Sequence, residues 1–331
     1  MAPDLRRGTR NPMFKRILCP YDFSEHSTRG LAYAVRLARR FRGHLEIVTV
    51  RTPAAGSPQP QNPRPLSRAE RIRLEHELEA AGGTGPFSAD VRVVIGKPAA
   101  DITTIAHHDR ADLVVMGTHA DDHARAPDGT PASITFQVLA RTTIPVLAVP
   151  PGAPDPAGWL LTEGETILGI DFDEACAAEV AMAAAFTQSY GARLLLVHAI
   201  DPRPSSGDWQ EPAVAPGVER MARARAALEH LLSLVPPGIK TSGLLLIGDP
   251  AREIAAIVHE RHASLVMTGL RHPGALLRPP QGSIAYRVVC LASVPVLALP
   301  PTPAGDYSLF KRRHHEDHGF ADARDQRSGR V

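Results

Sequence analysis

Arg16-Ile-Leu-Cys-Pro-Tyr-Asp22-Phe23 is a strand-like apolar run that ends in an aspartate, and Thr166-Ile-Leu-Gly-Ile-Asp171-Phe172 repeats it about 150 residues later. Leu113-Val-Val-Met-Gly117 recurs as Leu265-Val-Met-Thr-Gly269 at nearly the same offset. Ile144-Pro-Val-Leu-Ala-Val-Pro150 recurs as Val294-Pro-Val-Leu-Ala-Leu-Pro300. Widely spaced markers that share one offset identify a duplicated domain. Function has to be read from one unit and tested on the other.

Working outward from these markers, unit 1 reads as strands near residues 17–20, 44–50, 91–95, 113–116 and 146–149. Ser24 opens a helix as its N-cap, with Ser27 three residues on. Leu31, Ala34, Val35 and Ala38 form its apolar stripe, and Gly43 ends it. Further helices are expected over residues 68–81, 101–110 and 133–140. Unit 2 repeats the order, with strands near 167–170, 193–199, 241–247, 265–268 and 296–299. Its helices fall near 175–190, 218–234, 251–260 and 284–291. Short apolar strands alternating with helices predict a parallel sheet covered on both faces. Right-handed crossovers then make each unit doubly wound. The expected fold is α/β: two tandem doubly wound domains, each a five-stranded parallel sheet with helices on both faces. The expected boundaries are 1–13 for a flexible N-terminus, 14–152 and 163–301 for the domains, and 302–331 for a disordered polar tail.

The chain has 331 residues, 44% of them hydrophobic and 22% charged, which suits two soluble domains. A net charge of +2 neither demands nucleic acid nor forbids a nucleotide. Aromatic residues, at 5%, are too few to interleave with basic ones as a single-strand platform requires. Cys19, Cys176 and Cys290 are scattered and odd in number, which fits a reducing compartment. No apolar run approaches the length of a membrane span, and no apolar segment follows the basic N-terminus. The sequence therefore reads as a cytoplasmic protein with neither nucleic acid nor membrane as partner.

In open α/β sheets ligands bind beyond the carboxyl ends of the strands, where strand order reverses. Asp22 and Asp171 fall just past strand one, and Gly117 and Gly269 just past strand four. Gly282-Ser283 falls where the next helix begins. Glycine lets backbone approach a phosphate, and a helix N-terminus offers free N–H groups to an anion. An aspartate at this place accepts ribose hydroxyls or holds a metal ion beside phosphates; equally, it caps the next helix. Together these residues outline a nucleotide cleft.

They also carry a resemblance. Asp22-Phe-Ser-Glu25, Met116-Gly-Thr-His119 and the Pro-Val-Leu strand of both units resemble the universal stress protein family over residues 14–150 and 165–300. The resemblance implies a five-stranded parallel sheet, association through the final strands, and in a tandem member a pseudo-dimer of the two units. It implies a regulatory binding protein, not an enzyme. Many members bind ATP through glycine, two residues, glycine, nine residues, then Gly-Ser; others lack this signature and do not bind. In unit 2 Gly269 and Gly282-Ser283 keep that spacing, His272 replaces the middle glycine, and Arg271 and Arg278 rim the loop. In unit 1 Gly117 is kept, the middle glycine is Ala120, and Ala132-Ser133 aligns with the Gly-Ser pair. The unit 1 loop is two residues longer, unless Gly129-Thr130 serves instead, and carries Asp121, Asp122 and Asp128. Carboxylates repel a triphosphate unless a metal intervenes. The favoured nucleotide site is thus in unit 2: Asp171, Ala199, Gly269, His272, Gly282, Ser283 and Ile284. Asp22, Val50, Gly117 and Ser133 form a degenerate counterpart in unit 1. By the resemblance, Val50 and Ala199 meet adenine through backbone, and ATP, with Mg alongside, is the cofactor. The Gly96-Lys-Pro98 and Gly248-Asp-Pro250 turns border the base or ribose, or are simply strand exits.

Other patterns carry less. His119-Ala-Asp-Asp-His123 and His314-His-Glu-Asp-His318 have ligand-type residues, but solvated loop and tail residues explain them. No nucleophile elbow, P-loop or strand-associated Gly-x-Gly-x-x-Gly occurs. The alternatives to a tandem nucleotide-binding regulator are a dimerising scaffold of the same fold without nucleotide, and a slow ATPase.

Overall fold

The computed structural model describes residues 13–53, 63–82, 86–119, 133–159, 164–173, 175–201, 216–270 and 283–300. Unit 1 runs β1 (Arg16–Pro20), α1 (Glu25–Phe41), β2 (His44–Arg51), α2 (Arg68–Ala80), β3 (Ser88–Ile95), α3 (Pro98–His108), β4 (Leu113–Gly117), α4 (Ile134–Leu139) and β5 (Val146–Val149). Unit 2 runs β6 (Glu165–Gly169), α5 (Cys176–Tyr190), β7 (Arg193–Ile200), α6 (Pro216–Ser233), β8 (Thr241–Ile247), α7 (Pro250–Glu260), β9 (Leu265–Gly269), α8 (Ile284–Leu291) and β10 (Val296–Leu299). The N-terminal segment before residue 13 and the tail after residue 300 lie outside the described residues.

The strands form one sheet in the order β3-β2-β1-β4-β5-β10-β9-β6-β7-β8. Within each unit every pairing is parallel. The units join through their last strands, β5 and β10, which run antiparallel with Leu147 opposite Leu297. Burial follows position in this sheet. The central strands β5, β6 and β10 are buried at every residue, whereas the edge strand β3 is exposed over its first five. Continuous apolar runs therefore belong to strands covered on both faces.

Local sequence explains the helix ends. Ser24 caps α1 and its side chain accepts a hydrogen bond from the Ser27 amide. The left-handed residue that closes α1 is Arg42, with φ of 52°, rather than Gly43; unit 2 uses Gly191 at the equivalent place, with φ of 79°. Gly43 is needed for another reason: a Cβ there would come within 2.8 Å of the Phe14 carbonyl oxygen. Helix α3 starts at Pro98, three residues before the expected start, because Pro suits the first helical turn. Helix α2 carries a Ser67–Glu70 capping box and buries only Leu74, so it is a solvated face as read from its charges. The duplication extends to backbone torsion: Phe23 and Phe172, the residues after the two aspartates, both have positive φ, 66° and 61°.

The two units share their core. Phe14 and Phe41 of unit 1 lie 5.9 and 6.3 Å from the Phe186 ring of unit 2. Phe136 of α4 stacks on Tyr286 of α8 at 3.8 Å. The segment linking β5 to β6 is tied down as well. Trp159 packs edge-on against Tyr33 and donates its indole N–H to the Ser264 carbonyl, while the Tyr33 hydroxyl donates to the Pro154 carbonyl. Cys19 and Cys176 are buried and Cys290 half-buried, and none of the three forms a disulfide. No helix among the described residues is long and apolar enough to cross a membrane.

Candidate functional site

In unit 1 strand order reverses between β1 and β4. A cavity of about 530 Å³ opens there, at the carboxyl ends of β1, β2 and β4, within the size range of small-molecule sites. Pro20, Tyr21 and Asp22 line it from β1, Val48, Val50 and Thr52 from β2, and Met116, Gly117 and His119 from β4. Helix α4 closes the ring with Ser133, Ile134 and Thr135, and α1 contributes His26 and Ser27. All four residues named from sequence for unit 1, Asp22, Val50, Gly117 and Ser133, meet in this one cavity.

Each is positioned by its element. Asp22 does not cap α1 directly. Its carboxylate accepts a hydrogen bond from the Ser24 amide at 3.0 Å, and Ser24 is the cap. Burial pushes the Asp22 carboxyl up, but hydrogen bonds from Ser24 and Ser27 outweigh it and hold the group below its ordinary value of 3.8. The stabilisation linked to this shift is complete above the ordinary value and is lost as pH falls through the lower, folded one. Asp22→Asn is therefore expected to flatten the acid limb of stability below about pH 4, measured by urea denaturation across pH, and to leave its shape unchanged above about pH 6. An unaltered acid limb would show that this carboxylate is not coupled to folding.

Gly117 has a second reason beside the one its sequence context suggests. A Cβ at Gly117 would lie 1.9 Å from the His26 carbonyl oxygen, and one at Gly30 would lie 2.7 Å from the Gly117 nitrogen. Both glycines let α1 press against the end of β4, whether or not a phosphate also approaches. That contact brings His26 into the cavity wall, where its ring lies 3.9 Å from that of His119. Thr135 donates its hydroxyl to the Gly117 carbonyl at 2.9 Å, tying α4 to the strand end. Sequence reasoning named neither His26 nor Thr135 as a site residue. The available signal for His26 was Gly30, a helical glycine four residues on and hence on the same face.

Unit 2 differs at the corresponding positions. Asp171, Ala199, Gly269, Ser283 and Ile284 stand at strand and helix ends as in unit 1, whereas His272 and Gly282, with Arg271 and Arg278, lie outside the described residues. Ser24, His26, Ser27 and Gly30 are replaced by Asp173, Ala175, Cys176 and Glu179. The Asp171 carboxylate accepts from the Asp173 amide and from the Cys176 thiol. Burial first, and then the Glu179 and Asp171 charges, push that thiol up to about 12. Ligand atoms of Asp171, Asp173 and Cys176 lie within 4.8 Å of one another, a donor set that suits a cation better than an anion. Glu179 is 4% exposed. Asp249 and Arg287 form a bidentate ion pair at 2.6 and 2.8 Å between the starts of α7 and α8; unit 1 has Lys97 and Gln137 there. The acidic residues that the sequence reading counted against unit 1, Asp121, Asp122 and Asp128, lie outside the described residues, as do Ala120, Ala132 and Gly129-Thr130.

Comparison with known proteins follows the duplication. The model of the universal stress protein family matches residues 13–150 and again residues 165–300. A universal stress protein from Thermus aquaticus, encoded in the 3′ region of a QAH/OAS sulfhydrylase, is 37% identical over 111 residues, covering 32% of this chain and 78% of that protein. Among solved structures, a universal stress protein from Archaeoglobus fulgidus aligns with a TM-score of 0.59 at 19% identity, covering 87% of this chain and 98% of that one. A functionally unknown protein from Pseudomonas aeruginosa aligns with a TM-score of 0.57 at 16% identity, covering 88% and 95% of the two chains.

Proposed function

Because the chain belongs to the universal stress protein family, we propose that it is a regulatory binding protein whose adenine-nucleotide site is the unit 1 cavity. The observation that carries this reading is the convergence of Asp22, Val50, Gly117 and Ser133 on one cavity at the switch point of the sheet. Asp22, kept ionised, accepts from ribose hydroxyls, while Val50 at the end of β2 borders the base. The start of α4 offers N–H groups at Ser133 and Ile134 to a phosphate, with no side chain capping them. Unit 2 is the poorer anion site on its described residues, since Asp173 and Glu179 stand where unit 1 has Ser24 and Gly30. No described pair of groups is placed to activate a nucleophile and protonate a leaving group, so binding rather than turnover is the role proposed. Cysteines that form no disulfide fit the cytoplasm.

A second reading puts the nucleotide in unit 2. It rests on the spacing of Gly269 and Gly282-Ser283, with Arg271 and Arg278 between them. Calorimetric titration of ATP separates the two. Ser133→Glu, which sets a carboxylate in the unit 1 cavity, is expected to weaken ATP binding by at least about tenfold, and Gly282→Glu to leave it unchanged. The reverse pattern would transfer the site to unit 2. No uptake by the unmodified chain at millimolar ATP would favour the scaffold without nucleotide.

A further inference from the structure

In sequence, unit 1 has Ala120 where the phosphate signature has its middle glycine. Two imidazoles stand in the wall of the unit 1 cavity. His26 is the second residue of α1, and His119 follows β4 by two residues. Their ring centroids are 3.9 Å apart at an angle of 42°. Gly30 and Gly117 create this contact, because any Cβ at either position would hold α1 away from β4. His26 Nδ1 is buried and has no hydrogen-bond partner among the described residues. A buried nitrogen left unsatisfied in a cavity wall asks for a partner that enters the cavity. The sequence counterparts in unit 2 are Ala175 and Arg271.

We propose that His26 and His119 are the phosphate-reading pair of the unit 1 cavity, and that a nucleotide phosphate binds there together with a proton. This rests on the reading of the cavity as a nucleotide site. A phosphate placed against both rings accepts charge-assisted hydrogen bonds from them when they carry protons. The sign follows: the bound state favours the protonated pair, so affinity for a phosphate-bearing ligand rises as pH falls.

Among the residues that line the cavity, Asp22 is the acidic one. It is held ionised, which adds a neighbouring negative charge. Glu25 of α1 is turned outward and paired with Arg29 at 3.0 Å. Helix α4, Ile134–Leu139, contains no ionisable residue. Residues 120–132 follow His119 and lie outside the described residues; Asp121, Asp122, His123, Arg125 and Asp128 are their ionisable side chains.

The test is calorimetric titration of the full chain with ATP and with adenosine, at about pH 6 and about pH 8. The unmodified chain is compared with His26→Gln and with His119→Gln. The exposed position of His119 makes the second variant a safe one for folding; melting curves check both. Expected for the unmodified chain is ATP binding about tenfold tighter at the lower pH, with proton uptake seen as a heat that changes with buffer. Each variant loses about tenfold at the lower pH and flattens the profile, while adenosine binds all three proteins alike at both pH values. Variants that keep the full pH slope for ATP would overturn the pair and leave the nucleotide site standing, and a slope shared by adenosine would do the same. Uptake of neither ligand by the unmodified chain would overturn the site and the pair together.

Discussion

Gly117→Ala is expected to cost at least about 3 kcal/mol of stability, the upper range of overpacking effects, although it adds a single methyl group. The new Cβ would sit 1.9 Å from the His26 carbonyl oxygen, 2.4 Å from its carbonyl carbon and 3.1 Å from its Cα. All three are backbone atoms, so no side-chain rotation gives relief. Either α1 lifts from β4 or the strand end moves. Lifting α1 loosens Leu31, Ala34, Val35 and Ala38, all wholly buried. Gly30→Ala tests the contact from the other side. Its methyl would meet the Gly117 nitrogen at 2.7 Å, so it is expected to destabilise even though alanine is favoured over glycine inside a helix by about 1 kcal/mol. Gly158→Ala, with nothing within 4 Å, is the control and is expected to be near neutral. Urea denaturation midpoints compare the three. Equal midpoints for Gly117→Ala and the control would refute the close approach of α1.

Separating the units is expected to have the largest effect of all. A chain cut to residues 1–160 is expected to be recovered as a dimer or an aggregate, not as a stable monomer. Removing unit 2 strips β10 from β5 and leaves Val146, Leu147, Ala148 and Val149, each at most 1% exposed in the full chain, at an open edge. It also uncovers Phe14 and Phe41, which pack on Phe186, and Phe136, which stacks on Tyr286. Burying one large apolar side chain is worth about 1.5–3 kcal/mol, so the loss is on the order of 10 kcal/mol. That equals the whole stability of an ordinary domain, roughly 5–15 kcal/mol. An unpaired apolar edge is also a template for pairing with another chain. Sedimentation equilibrium decides the point: a monomer with a cooperative melt would show that the shared core is dispensable.

Much of this architecture was legible in the sequence because it is written in short-range patterns. The apolar strands, the Ser24 cap and the repeated aspartates follow from periodicity and capping chemistry. Phe23 and Phe172 share a conformation, in keeping with the duplication. Other features depend on contacts that no local pattern encodes. His26 and His119 are about ninety residues apart, and only the two glycines that admit α1 against β4 bring them together. The place of Gly117 in the sequence suggests room for a phosphate, and its surroundings show that a helix presses there as well. The weight given to unit 2 came from loop spacing. Spacing carries no information on the carboxylates at Asp173 and Glu179, which come from α5 and the turn before it. Edge strand β3 extends three residues earlier than its apolar run because it pairs along the full length of β2, from His44 with Ser88 to Arg51 with Ile95.

The antiparallel seam between β5 and β10 has a consequence for how the molecule can change over generations. In a dimer of identical chains, a residue on the symmetry axis meets its own copy, and every substitution there is made twice. Here the seam lies within one chain. Phe136 meets Tyr286 rather than another Phe136, and the two faces can be altered one at a time. One unit begins its first helix with His26 and Gly30, and the other has Ala175 and Glu179 at those places. Fusion thus frees each half from having to be its own partner, and lets one inherited cleft specialise while its twin keeps the framework rigid.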